Sequence, residues 1–364
     1  MQFLTHIGTD WPAILFFALL LWGLRRTKSE KKVLISLEDG LSIRGISALM
    51  VLLAHLVLST KNGILMPKFY IYGAGGLAVG LFFFLSGYGL QKQYLEKGAS
   101  YRQSFLKRRL PSVLIPFSLF AVLYWLVYYS LGKVYTFHDL ISDIRMGIPF
   151  VAYSWFLIAI LFFYLFFWIF MNLFREKHIH WMPVAACGWY CLYAFICIKL
   201  KYLIFWYDSA HLIPFGMFCA VYEEKILQVL KNKILYTVFL ITAVLSWIVS
   251  TYFYAYGFPM SIQLFYFLSL SRIFFFAVMF LLLQLKIENK NPVLRYVGKI
   301  SLEVYLIHGL VFYLLRGDYC YLTNESLFCF LGLTGVMLAA SVLSPIDRFL
   351  VRSWKHTVKA NKGS

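Results

Sequence analysis

Two side chains able to do chemistry share one apolar segment, Ser42-Ile-Arg-Gly-Ile-Ser-Ala-Leu-Met-Val-Leu-Leu-Ala-His55. On an α-helix the eleven residues from Arg44 to His55 amount to roughly 20° off three full turns and a rise of about 16 Å. Both side chains therefore point the same way at different depths. One is a guanidinium shaped for bidentate contact with phosphate or carboxylate. The other is an imidazole able to take and return a proton near neutral pH. Gly45, Ser47 and Ala48 keep the surface beside Arg44 narrow, which leaves space for a slim group to run between the two.

A second constellation lies late in the chain, in Gly298-Lys-Ile-Ser-Leu-Glu-Val-Tyr-Leu-Ile-His308. Ser301, Tyr305 and His308 follow i, i+4, i+7 and share one helix face, while Glu303 sits roughly opposite and is not expected to pair with His308. Arg272 falls in the middle of an apolar run, where a cation requires a buried anion or a water-filled cavity. Asp208 and His211, three residues apart, are expected to satisfy one another. Lys107, Arg108 and Arg109 form a basic cluster suited to phosphate. Each group also has a plainer reading: a membrane histidine as a neutral hydrogen-bonding partner between helices, and a basic cluster at a helix end as an orientation signal. Ser86 and the glycines of Gly75–Leu90 would permit close helix approach, and packing alone would account for them. The six cysteines show no CxxC spacing, so neither zinc nor a disulfide framework is expected.

The elements that must position these residues follow from composition. Of 364 residues 61% are hydrophobic and only 14% charged, with mean hydropathy +0.74; soluble domains carry about 25% charge. Apolar runs near twenty residues long predict membrane-spanning helices rather than a barrel. The formal charge of +18 does not point to nucleic acid, because the basic residues cluster in short loops between apolar runs. The first run, Trp11 to Leu24, is followed rather than preceded by positive charge (Arg25, Arg26, Lys28, Lys31, Lys32), the reverse of a signal peptide.

These patterns predict an all-α bundle of ten to eleven spans in a single domain over 1–364. The expected helices are 3–24, 43–60, 71–92, 111–131, 151–173, 182–199, 203–222, 234–255, 262–285, 300–316 and 326–344, with loops at 25–42, 93–110 and 132–150 and a short basic tail from 345 to 364. With the N-terminus outside, the outer segments hold only Lys61, Lys68, Lys133, Arg145, Lys199, Lys201 and Arg316, and Arg272 is mid-helix. The remaining basic residues fall inside. That asymmetry predicts a cytoplasmic C-terminus.

Four stretches in order resemble the family-3 membrane acyltransferases of bacteria, which O-acylate envelope glycans. They are Arg44-Gly…His55, Val79-Gly-Leu-Phe-Phe-Phe-Leu-Ser-Gly87, Phe105-Leu-Lys-Arg-Arg109…Leu-Ile-Pro116, and Ser301…Tyr305-Leu-Ile-His308, with Trp155-Phe-Leu as a lesser match. They cover a family-like core of about 41–344. The resemblance implies cytoplasmic acyl-coenzyme A as co-substrate, with no permanently bound cofactor, and a hydroxyl acceptor on an extracytoplasmic glycan or lipid-linked glycan. It implies His55 as the catalytic histidine, Arg44 as the essential arginine, and Arg108 and Arg109, with Lys107 and Ser86, on the donor side. Two positions depart from the family pattern, Ser112 where a further arginine is common and Gly80 where an acidic residue is common. Neither touches Arg44 or His55.

On this reading the donor phosphates sit on Arg108, Arg109 and Arg44, and the pantetheine arm threads toward His55. His55 then acts as base or carries the acyl group itself. Acetyl is the expected group, with succinyl as the alternative. No appended extracytoplasmic domain is seen, so direct acylation or hand-over to a separate protein is expected. His308, Tyr305, Arg272 and Glu303 form a further set of core polar groups. Arg272, Asp208 and the two mid-membrane histidines motivate a competing reading as a transporter of a lipid-linked sugar or small anion.

Overall fold

The computed structural model describes residues 2–27, 30–60, 63–257 and 261–360. Lys28 and Lys61 of the charge tally, and residues 361–364 of the basic tail, lie outside the described residues. Fifteen α-helices are present among the described residues: α1 Gln2–Leu21, α2 Leu37–Leu58, α3 Met66–Ile71, α4 Ala74–Arg109, α5 Pro111–Ser130, α6 Phe137–Met146, α7 Trp155–Phe174, α8 Met182–Lys199, α9 Leu212–Val221, α10 Glu223–Leu230, α11 Lys233–Tyr256, α12 Ile262–Lys286, α13 Pro292–Lys299, α14 Ser301–Arg316 and α15 Glu325–Ala360. Among the described residues the named strands form one antiparallel ribbon, β1 Leu24–Arg26 against β2 Ile287–Asn289, in the register Arg25 to Glu288.

Among the described residues, seven helical stretches are long and apolar enough to cross a membrane. They are Leu37–Leu58, Ala74–Ser130, Trp155–Phe174, Lys177–Lys199, Lys233–Tyr256, Ile262–Lys286 and Glu325–Lys355, and the pair α13 and α14, bent by 78°, makes an eighth if taken as one span. The chain is therefore an α-helical membrane protein. The expected count of ten to eleven spans is not confirmed. Thr9–Leu21 and Leu212–Val221 are apolar but shorter.

Boundaries differ from the sequence reading where local chemistry overrides hydropathy. The expected loop 93–110 is helical, because polar residues with good helix propensity continue α4 to Arg109 past a break at Gly98 (φ 48°, ψ −126°). The expected loop 132–150 contains α6, whose Thr136–Asp139 capping box satisfies the first amides of the helix. α2 begins six residues before Ile43, at Leu37, because Ser36 and Asp39 form a capping box there. The helix expected at 203–222 begins only at Leu212, after a short 3-10 turn at Ile204–Trp206. The tail from 345 is helical through Ala360 as the continuation of α15.

Two reciprocal glycine crossings set the core. A Cβ on Gly45 would lie 1.9 Å from the Leu294 carbonyl oxygen, and one on Gly298 would lie 1.9 Å from that of Leu41. Gly87 and Gly216 do the same for α4 and α9, where added Cβ atoms would meet the Ile213 and Phe84 carbonyl oxygens at 2.0 and 2.2 Å. Such contact lets backbones pack without side chains between them. Gly45 is therefore occupied by α13 and does not leave a narrow free surface beside Arg44. α1 is tied to the segment that enters α3, since Asp10 accepts hydrogen bonds from the amides of Ile64, Leu65 and Met66 at 2.8–3.0 Å.

Candidate active site

α2 carries His55 near its C-terminal end, and α14 carries His308 one helical stack away. His55 Nδ1 lies 2.8 Å from His308 Nε2, and His308 Nδ1 lies 2.7 Å from the Tyr305 carbonyl oxygen. The partners fix the tautomers. A carbonyl oxygen only accepts, so His308 donates from Nδ1 and presents a lone pair at Nε2. His55 must then donate from Nδ1, which leaves its own Nε2 as a lone pair. His308 is 1% exposed, whereas His55 is partly accessible. The open nitrogen of this pair is the basic one.

The two rings are nearly coplanar, 8° apart, and the Tyr153 ring lies over both. Its centroid is 3.9 Å from that of His55 and 5.0 Å from that of His308. Tyr153 has φ of 65°, a left-handed backbone that costs a side-chain-bearing residue about 1–3 kcal/mol. Two features hold it there. The Tyr305 hydroxyl donates to the Tyr153 carbonyl oxygen at 2.8 Å. Gly309 on α14 leaves the room, since a Cβ there would fall 2.6 Å from Ala152 Cβ. Tyr305 therefore serves the pair twice, with its carbonyl on His308 and its hydroxyl on the residue that covers both rings.

At the other end of α2, Arg44 is an exposed side chain that lies close enough to Arg109 for their like charges to interact, with Tyr164 near both. Arg109 also donates from Nε to the Tyr101 hydroxyl at 3.1 Å. The segment of α4 beyond Gly98 packs back on α7, where the Phe105 ring stacks against Phe167 and meets Tyr164 edge-on. Among the described residues neither Arg44 nor Arg109 has a carboxylate within ion-pair distance. Two guanidinium groups converging without an acid are able to take an anion between them, and planar forks of this kind match phosphate oxygens. Arg108 is exposed on the same turn, near Tyr101, and Lys107 is exposed beside it.

Tyr164 and Tyr153 are eleven residues apart, as are Arg44 and His55. α2 and the segment leading into α7 thus run antiparallel along one strip, with arginine and tyrosine at one end and histidine and tyrosine at the other. Sequence reasoning missed Tyr153, Tyr101 and Tyr164. Tyr101 could have been found, since eight residues separate it from Arg109 on one helix face. Nothing distinguishes Tyr164 in its apolar run, and only the fold brings Tyr153 over the histidines.

The remaining candidates are not brought to this site. Arg272 is 2% exposed. It donates to the Tyr72 and Gly73 carbonyl oxygens at 3.2 Å each and lies 3.9 Å from the centre of the Tyr254 ring. Asp208 accepts from the Ser269 hydroxyl at 2.9 Å and lies near Arg272, so its carboxylate does not pair with the His211 ring as expected. Glu303 is buried against Asp347 of α15, away from His308 as expected. The Ser86 hydroxyl donates to the Phe82 carbonyl oxygen of its own helix at 2.9 Å.

One comparison with known proteins finds a match. The family model described as an acyltransferase domain, that of acyltransferase family 3, matches residues 42–344. No curated protein and no solved structure matches the chain. The matched range takes in both ends of the strip, from the helix of Arg44 and His55 to that of His308, and the chain belongs to the family-3 acyltransferases, a membrane enzyme that transfers acyl groups.

Proposed function

We propose that this protein moves an acyl group, acetyl in the first instance, from acyl-coenzyme A to a hydroxyl of an envelope glycan or glycolipid. The setting is the bacterial cytoplasmic membrane, with the N-terminus outside and the C-terminus in the cytoplasm. The observation that carries the reading is the His55–His308 bond, because it leaves one basic nitrogen, His55 Nε2, on the accessible side of the pair.

Arg44 and Arg109 hold the phosphates of the donor, with Arg108 and Lys107 adding charge at the same mouth. The thioester is then carried along the strip toward His55. His55 Nε2 takes the proton of the acceptor hydroxyl as its oxygen attacks the thioester carbonyl carbon. The carbon–sulfur bond breaks, and the proton on Nε2 goes to the departing thiolate, which regenerates the neutral imidazole. His308 keeps its Nδ1 proton on the Tyr305 carbonyl throughout. Its Nε2 holds the Nδ1–H of His55 and steadies the imidazolium formed in the middle of the reaction. Tyr153 limits rotation of the His55 ring.

The test is reconstitution in liposomes with radiolabelled acetyl-coenzyme A, together with mass spectrometry of envelope glycans from cells with and without the gene. Acyl groups should appear on a glycan only when the gene is present, and His55→Ala should abolish them while the protein still reaches the membrane. Acylation that persists in that variant would overturn the assignment of the base. A rapidly quenched digest that contains an acylated His55 would favour transfer through the imidazole.

A further inference from the structure

A cavity of about 540 Å³ lies on the side of α2 turned away from the histidines. Met50, which lines it, stands five residues before His55, a rotation of about 140° around the helix. The cavity is therefore not part of the strip described above. Its opposite walls are α1, with Phe16 and Leu20, and α12, with Phe280 and Leu283. The stripe on α2 runs from Asp39 to Met50, about 16 Å, and that on α12 from Phe276 to Gln284, about 12 Å. The space is a partly open groove lying along α2 and α12, and its walls are almost entirely hydrocarbon.

The two ends differ in charge. At one end Lys68 of α3 lines the groove as an exposed ammonium, next to Tyr72, whose hydroxyl is 3.1 Å from that of Tyr256. At the other end the polar groups are already engaged. Asp39 is 2.8 Å from Lys31 Nζ, and the Ser42 hydroxyl donates to the Asn289 carbonyl oxygen at 3.0 Å. An anionic headgroup is therefore attracted to the Lys68 end and meets a carboxylate at the Asp39 end. Water gains nothing from an apolar slot of this kind, and a narrow groove between helices does not suit the flat face of a second copy. Its hydrocarbon walls, long axis and single cation match one acyl chain with a phosphate at its head.

We propose that this groove is a binding site for a glycerophospholipid of the leaflet at the Lys68 end. One acyl chain lies between α1 and α12, and the phosphate rests on Lys68. The lipid fills the space that holds α1 apart from α12 and so completes the packing of the first helix. The site stands independently of the acyl-transfer reading, and its test does not measure transfer.

The protein is purified in mild detergent, its extracted lipid is assayed for phosphorus and identified by mass spectrometry, and delipidated protein is titrated with phosphatidylglycerol in mixed micelles while its melting temperature is followed. Wild type should retain stoichiometric phospholipid and gain melting temperature with added phosphatidylglycerol. Lys68→Glu, at an exposed position where folding is not at issue, should weaken the titration by roughly five-fold or more. Met50→Trp should remove the retained lipid by filling the groove. The proposal is overturned if wild type holds no lipid phosphorus and gains no stability, or if Lys68→Glu titrates as wild type does. It is equally overturned if the retained molecule is a polyisoprenoid phosphate or a lipid without phosphate.

Discussion

His55 Nδ1 and His308 Nε2 are 2.8 Å apart although 253 residues separate them in the chain. The consequence is directional. His308 has only one nitrogen free to accept, because the other is committed to the Tyr305 carbonyl oxygen. Under the proposed function, His308 is the orienting group and His55 is the group that touches substrate.

A first prediction separates these roles. His55→Ala should lower transfer by about 10²–10⁴-fold, the usual contribution of a positioned base. His308→Ala should lower kcat with little change in the KM for acyl-coenzyme A, because it removes orientation and not donor binding. His308→Gln, whose side-chain oxygen can accept from His55 Nδ1, should recover part of the loss. Steady-state kinetics in liposomes would reveal a purely structural His308, since kcat per folded molecule would then stay constant.

At the opposite end of the strip, Arg44→Ala and Arg109→Ala should each raise the KM for acyl-coenzyme A by roughly 10–100-fold, as expected for the loss of a charge-assisted hydrogen bond. Lysine should rescue either position poorly, because an ammonium lacks the planar fork. If the two share one phosphate group, the double variant should lose less than the product of the single losses. Direct titration with a non-hydrolysable acyl-coenzyme A analogue reads this without the chemistry.

Gly45→Ala and Gly298→Ala should fail through packing. Each added methyl group would occupy space 1.9 Å from a carbonyl oxygen, so the crossing of α2 and α13 must open. The loss should be about 1–3 kcal/mol or more, seen as a lower melting temperature and poor recovery of monodisperse protein. An unchanged melting temperature in both variants would show that the two helices do not cross at these glycines.

Arg272 is expected to be a structural residue. Its guanidinium is engaged by two carbonyl oxygens and the Tyr254 ring, and a Cβ on Gly73 would lie 2.5 Å from its Nη1. Arg272→Leu should therefore destabilise the fold by about 3–5 kcal/mol, because it leaves the buried Asp208 without its cation. Transfer per folded molecule should change little. A stable Arg272→Leu protein with altered substrate movement would instead favour transport.

The amino-acid sequence alone determined the class of the protein and one axis of its site. Long apolar runs leave helices as the solution because a bilayer offers backbone groups no other partners. A spacing of eleven places Arg44 and His55 on one helix face whatever surrounds that helix. Tertiary structure decided which polar groups meet. His308 and Arg272 look alike in sequence, each an ionisable group in an apolar helix, yet one bonds His55 and the other anchors the start of α4. Tyr153 is set over the histidines by a hydroxyl from α14 and the empty space at Gly309. Gly45 looks in sequence like room for a ligand and in the fold is the seat of another helix. The physical reason is common to all three. Periodicity fixes the direction of a side chain relative to its own helix axis, whereas its partners depend on how helices distant in the chain cross.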